Sequence, residues 1–494
     1  MIMKTIKKSS FNLAKIPRLI PRHLTSQTNT IMRWIMIGLF IRFLFMPIMA
    51  STDFTTSAWI SLTLIQKNQL VLSADPPAIF FVLGFFYKLL LPLFPQNILN
   101  FLTSSISFTP LPFQAFSLLE SGIHTFLFVG KLPFLLFDFL SAFLLLHLFS
   151  DGKKALFAFK LWLINPIVIA ITYVYGQYDI TVVFFLILSL YLLKKNKYEM
   201  SALALGIGAI FKFFTLALLP IVALGYWKNQ GTTSIVSKTI KTCYMVMFGF
   251  LPLLLIPLIY SVVPQYYESA NVAIPPGMFL NGFFGETFYS QGVAAQPFYS
   301  GIFNFLLNSS YSLQTNLTIP DFVYFIPFVY AILLLSATHE RQLSFEKIFR
   351  YFAVFLLSYY AFSLFYPQWF LWIQPLFIML LVEKPKTYKK LFLMIIPLFF
   401  FYTLQSGTVL TTVIITPVVP QALLWESPLT FINDAGFPGS QLIGISRTFL
   451  SAICVFMAFY IIKESFWIKK AKNDGITTEP PPRVEPPMKR TLGE

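Results

Sequence analysis

Long apolar runs recur along this chain at close to the length that crosses a bilayer, and nothing else in it restricts the fold as strongly. The runs are apolar without a break, so they lack the alternation of a barrel strand. Helices satisfy their backbone groups internally and are the spanning form that fits. Composition agrees. Of 494 residues, 56% are hydrophobic and 11% charged, about half the charged share of a soluble protein. The expected fold class is an all-α polytopic membrane protein.

Twelve spans are expected, at 32–50, 122–149, 155–175, 176–194, 199–212, 213–228, 242–262, 319–337, 349–366, 368–383, 389–404 and 441–463. The pair 199–212 and 213–228 also reads as one long helix, and charge decides between the two. A single crossing would invert everything downstream, putting Arg341, Lys347 and Arg350 outside. A hairpin of two short helices keeps basic residues on the inner side. Three long segments then face outward: 51–121, 263–318 and 405–440, of which the last two contain no Lys or Arg. Flanking regions are a basic cytoplasmic N-terminus at 1–31 and a Pro-rich cytoplasmic tail at 467–494, expected to be disordered; 32–466 is the membrane domain.

The net charge of +16 lies in Lys4, Lys7, Lys8, Lys15, Arg18 and Arg22, and in short loops such as Lys153-Lys154 and Lys194-Lys195-Asn196-Lys197. That is the positive-inside pattern with attraction to membrane lipids, and no nucleic-acid surface is indicated. Cys243 and Cys454 lie in apolar runs and read as packing residues. No cleaved signal peptide is expected, because thirty mostly polar residues precede the first apolar run.

The candidate chemistry sits where spans meet the outer face. Asp53 directly follows the first span, wet enough to ionise yet close to lipid; the bland alternative is a solvated helix end. His124, Lys131 and Asp138 are spaced by seven residues and share one helix face, which is turned towards the bundle with Asp138 deep enough to pair with Arg42. Gly176-Gln177-Tyr178-Asp179 forms a polar turn between two spans. Lys212 stands at the hairpin tip beside the N-terminus of an inward helix, where phosphate would be attracted, or it snorkels to the interface. Gln368 follows Pro367 at another inward helix start, with Trp369 and Trp372 as interfacial aromatics, and Arg447 is a further candidate phosphate ligand. Neither a metal motif nor paired carboxylates such as Asp-x-Asp are present, so no cofactor is assigned and a divalent metal stays open but unsupported.

Several of these segments resemble the GT-C glycosyltransferases, membrane enzymes that take sugars from polyprenyl-phosphate donors. The likeness rests on Asp53 beyond the first helix, on Lys131 through Asp138, and on Asn165-Pro166 with Gly176-Gln177-Tyr178-Asp179. It continues through the hairpin Phe211–Pro220 and Tyr366-Pro-Gln-Trp. Asp75-Pro-Pro-Ala is similar to a Tyr-Pro-Pro-Leu run of that family, with Asp where Tyr is usual. The resemblance implies an inverting hexosyltransferase, mannose being the favoured sugar, with a lipid-linked or cell-surface glycan acceptor. It implies Asp53 as the base, with Lys131 and Lys212 towards the phosphate and Gln177, Tyr178, Asp179 and Gln368 lining the substrate site; Arg447 joins the phosphate candidates by its position near the outer end of the last span. The expected location is the cell membrane, with both termini cytoplasmic by the charge pattern and the span count. Alternatives are a transporter or flippase of a lipid-linked sugar and a non-catalytic subunit. Glu286 and the Asn308 and Asn316 sequons of the outer loop stay unassigned.

Overall fold

The computed structural model describes residues 20–71, 76–104, 122–231, 234–267, 272–274, 325–363 and 365–473. The first group of helices is α1 (Thr28–Phe45), α2 (Thr52–Lys67), α3 (Ala78–Leu90), α4 (Gln96–Ser104) and α5 (Ile123–Leu148). Next come α6 (Gly152–Leu163), α7 (Pro166–Ile169), α8 (Asp179–Lys194), α9 (Tyr198–Ala209) and α10 (Leu219–Asn229). Then follow α11 (Ile235–Phe250), α12 (Leu255–Val262), α13 (Phe325–His339), α14 (Phe345–Phe362) and α15 (Gln374–Glu383). The last are α16 (Pro385–Thr403), α17 (Pro428–Asp434) and α18 (Gly439–Asn473).

Among the described residues, five helices are long and apolar enough to cross a membrane, and a bent pair makes a sixth. Other apolar helices at expected positions are shorter, such as Phe213–Asn229, Ile326–His339 and Pro367–Glu383, so the described residues do not establish a count of twelve. Apolar side chains of α1, α11, α12 and α18, including Phe40, Met247, Leu258 and Phe459, are exposed on the outside of the bundle. In a membrane protein that surface faces lipid. The chain is thus an all-helical polytopic membrane protein. α18 continues to Asn473, past the boundary expected at 466; Asp75, Glu286, both sequons and the tail beyond Asn473 lie outside the described residues.

Local chemistry explains the breaks. Asn165 precedes Pro166, which disfavours helical backbone at Asn165, and its side chain caps α7 by accepting from the amides of Ile167 and Val168. α6 and the following helix therefore bend by 41°. The hairpin at 199–228 also forms. α9 ends at Ala209, a 3₁₀ helix runs over Phe213–Leu218, and Thr215 reaches back to donate to the Leu205 carbonyl at 2.8 Å.

Described residues in and beside the three long segments expected outside are tied together by backbone hydrogen bonds. A small sheet pairs β1 (Leu70–Val71) in parallel with β2 (Gln265–Tyr267), and β3 (Val272–Ile274) joins antiparallel. The Ala50 amide donates to the Ile414 carbonyl at 3.2 Å, tying in the third segment. At the opposite end the short basic loops hold one another. Lys228 donates to the Glu340 carbonyl at 2.6 Å, Asn229 to the Leu343 carbonyl at 2.7 Å, and Lys384 pairs with Glu464.

Of the polar stripe of α5, Lys131 and Asp138 are buried in the bundle, whereas His124 at the helix start is exposed. Arg42 Nε donates to Asp138 Oδ2 at 2.6 Å, and both side chains are fully buried. Tyr173 OH and Trp162 Nε1 complete the carboxylate, each at 2.7 Å. Removing one partner of a buried pair strands the other charge, at a cost of about 3–5 kcal/mol, whereas apolar replacement of both is better tolerated. Asp138→Asn should therefore lower the thermal unfolding midpoint of the detergent-solubilised protein more than Arg42→Met combined with Asp138→Leu. Scanning fluorimetry checks this, and equal midpoints would count against the pair as a structural anchor.

Candidate active site

Asp53 lies in the first turn of α2, exposed, where the helix N-terminus favours a negative charge. Its carboxylate is held: Gln177 Nε2 donates to Asp53 Oδ2 at 2.8 Å. Gln177 is itself buried, and its amide donates to the Ile171 carbonyl at 3.0 Å. Ser51, just before α2, donates from both its backbone amide and its hydroxyl to the Tyr175 carbonyl, at 3.1 and 2.7 Å. The start of α2 and the turn after α7 are therefore fastened to each other.

That turn has an unusual build. Residues Ala170–Val174 form a π-helical turn, and Gly176 follows with φ +72°. A Cβ at Gly176 would lie 2.8 Å from Phe54 Cβ, so glycine is required by conformation and by space alike. Once past Gly176, consecutive residues point to different partners. Gln177 reaches Asp53, the Tyr178 ring lies 5.1 Å beneath the Lys212 ammonium, and Asp179 Oδ1 accepts from Trp372 Nε1 at 2.7 Å. One tetrapeptide thus gathers an exposed carboxylate, a half-buried ammonium and an indole.

The indole begins an aromatic stack. Phe214 and Trp372 lie face to face at 3.8 Å and 8°, and Trp369 stacks on Trp372 at 5.3 Å and 15°. Trp369 lies in the 3₁₀ turn Pro367–Leu371 and Trp372 caps its end, three residues on, the spacing at which 3₁₀ side chains eclipse. Tyr366 meets Trp369 edge-on and stands exposed at the end of the row. Trp372 is 1% exposed, so it is a buried element of the site and not the interfacial aromatic its sequence context suggested. Gln368 is half-buried on the same turn.

Two expected phosphate ligands are committed elsewhere. Lys131 is buried, and its ammonium donates to the carbonyls of Met46 at 3.1 Å, Tyr173 at 2.8 Å and Met49. Its three protons are thereby used, and its role is to hold the exit of α1 against the π turn. Arg447 donates from Nη1 to the Tyr360 carbonyl at 2.6 Å and to Ser451 Oγ at 2.9 Å, and from Nη2 to the Ser363 carbonyl at 2.5 Å. Its guanidinium satisfies the C-terminal carbonyls of α14. Lys212 keeps its place at the hairpin tip, where the 3₁₀ turn Phe213–Leu218 that follows it runs directly into α10. Ser51, Phe214 and Trp372 escaped the sequence reading as site components. Only the Tyr366/Trp369/Trp372 spacing of three carried a signal.

Comparison with known proteins gives three similar relatives, each named GPI mannosyltransferase 1. The Kluyveromyces lactis protein is 31% identical over 125 residues, covering 24% of this chain and 30% of its own. The Saccharomyces cerevisiae protein is 25% identical over 126 residues, 24% of this chain and 31% of its own. The Candida albicans protein is 33% identical over 114 residues, 22% and 28% respectively. The chain thus spans under a third of the length of the curated relatives it matches, and these similarities support the GT-C resemblance. No family model and no solved structure matches.

Gly176→Ala tests the turn. A left-handed non-glycine residue costs on the order of 1–3 kcal/mol, and the clash with Phe54 adds to it. The expected result is a lower unfolding midpoint together with loss of any activity that needs Gln177 and Tyr178 in place. A variant as stable as the parent would contradict the reading of this turn.

Proposed function

We propose that the chain is a membrane mannosyltransferase that moves mannose from a polyprenyl-phosphate donor to a lipid-linked or cell-surface glycan acceptor. The relatives' name points to a GPI glycolipid as the acceptor class. The observation carrying the reading is the exposed Asp53 carboxylate fixed by buried Gln177, one residue away from the tyrosine that seats Lys212. The proposed site lies beside the backbone ties between the three long segments, facing outward from the cell membrane with both termini cytoplasmic.

In the proposed reaction an acceptor hydroxyl approaches the exposed Asp53. Its oxygen attacks the anomeric carbon while Asp53 takes its proton, and the bond from that carbon to the phosphate oxygen breaks with inversion. The electron pair leaves on polyprenyl phosphate, whose growing charge Lys212 offsets. The Gln177 hydrogen bond fixes the direction of the carboxylate. Asp179 secures the aromatic row through Trp372, and Gln368 borders the same turn.

Replacing Asp53 by Asn keeps shape and removes the base. Turnover with a radiolabelled polyprenyl-phosphate mannose should fall about a hundredfold or more, with donor affinity nearly constant. Near-normal turnover would remove Asp53 from this role. Neutralising Lys212 has the opposite signature. Lys212→Met should weaken donor binding by about 10- to 150-fold, the equivalent of roughly 1.5–3 kcal/mol for one charge-assisted hydrogen bond, and Lys212→Arg should recover part of it. A folded Met variant that binds donor as tightly as the parent would refute the phosphate assignment.

A further inference from the structure

Between α13, α14 and α18 lies a cavity of about 130 Å³ with walls of two kinds. Ile332 and Leu333 of α13, Val354 of α14 and Ile461 of α18 make the apolar part. Lys347 and Arg350, in the first two turns of α14, supply the charged end. Glu340 borders the cavity as well, but its carboxylate is taken by Lys347 at 2.8 Å. Arg350 is half-buried and has no hydrogen bond or ion pair among the described residues. Glu346, one turn back on α14, and Glu383 of α15 lie near Arg350 but outside ion-pair distance.

Access is lateral. Ile332 is 49% exposed, and Phe328 and Leu335 beside it on α13 are exposed too, so the rim of the cavity belongs to the surface that lipid covers. The charged end lies with the basic loops, since Lys228 donates to the carbonyls of Thr338 and Glu340 just before α14. The other end of α14 leads to the candidate active site, because Tyr360 OH donates to the Trp369 carbonyl. From Arg350 to Phe362 the helical rise is roughly 18 Å, so this is a separate place in the molecule.

We propose that the cavity is a binding site for an anionic membrane phospholipid, with an acyl chain against Ile332, Val354 and Ile461 and the phosphate on Arg350 and Lys347. An apolar wall continuous with the lipid-facing surface selects a lipid over a soluble anion. A half-buried guanidinium whose nearby carboxylates, Glu346 and Glu383, stand outside ion-pair distance keeps its paired donors for a net negative headgroup.

The test reconstitutes the full chain in nanodiscs of phosphatidylcholine alone or mixed equally with phosphatidylglycerol, then releases it into detergent for native mass spectrometry. The parent should retain phosphatidylglycerol in preference to phosphatidylcholine. Arg350→Gln should reduce that retention by about tenfold or more, as loss of a charge-assisted bond predicts. Ile332→Trp, at an exposed rim position where folding is not at stake, should block entry and reduce it likewise. Asp53→Asn should retain lipid like the parent, which separates this site from the proposed reaction. Parent-like retention by either cavity variant would overturn the proposal, as would equal retention of phosphatidylcholine. Thermal stabilisation by inorganic phosphate equal to that by phosphatidylglycerol would also overturn it, since the acyl chain would then be irrelevant.

Discussion

A lysine ammonium buried among three backbone carbonyls does most to fix the geometry of this protein. Lys131 draws Met46, Met49 and Tyr173 to one point, joining the exit of α1 to the π turn after α7. It is the middle rung of three on one face of α5. His124 holds the Pro47 carbonyl at 2.9 Å, and Asp138 holds Arg42. Burying a charge costs several kcal/mol unless its protons are all accepted, and here three acceptors are supplied. Helix α2 starts directly after this clamped segment, so the position of Asp53 is inherited from it.

The broad fold was legible because it rests on patterns that residue identity carries. Apolar runs marked the helices, Asn165-Pro166 marked a break, and the seven-residue stripe marked the inward face of α5. Charge balance correctly favoured a hairpin at Lys212 over one long helix. The roles of individual cations were harder to read. Lys131 and Arg447 are basic residues near the candidate site, and the sequence gives no sign that their partners are backbone carbonyls. Every residue has a carbonyl, so only tertiary structure says which are left without a helical partner. Trp372 was misplaced for a related reason: an indole suits an interface and a buried stack equally well, and its bond to Asp179 spans 193 positions.

The two ends of the molecule are built on different chemistry. One end, with the sheet, Asp53 and the aromatic row, is poor in basic residues in two of its three long segments. At the other end, short loops rich in lysine and arginine are stitched together through carbonyls and through the pairs Lys347–Glu340 and Lys384–Glu464. Helix α14 connects them, with the amphipathic cavity at its start and the carbonyls capped by Arg447 at its finish.

The stitching of the long segments also sets a clock. Ala50 is tied to Ile414, Leu70 pairs with Gln265, and Asn165 donates to Gln374, so the surroundings of Asp53 draw on the first and last thirds of the chain. At roughly 5–20 residues per second of synthesis, Ile414 follows Ala50 by on the order of tens of seconds. During that interval the early helices are already made, with the polar face of their future site unsealed. A ribosome-bound chain cut short before α16 would hold Asp53, Gln177 and Lys212 yet lack the Ile414 carbonyl that fastens the residue ahead of α2.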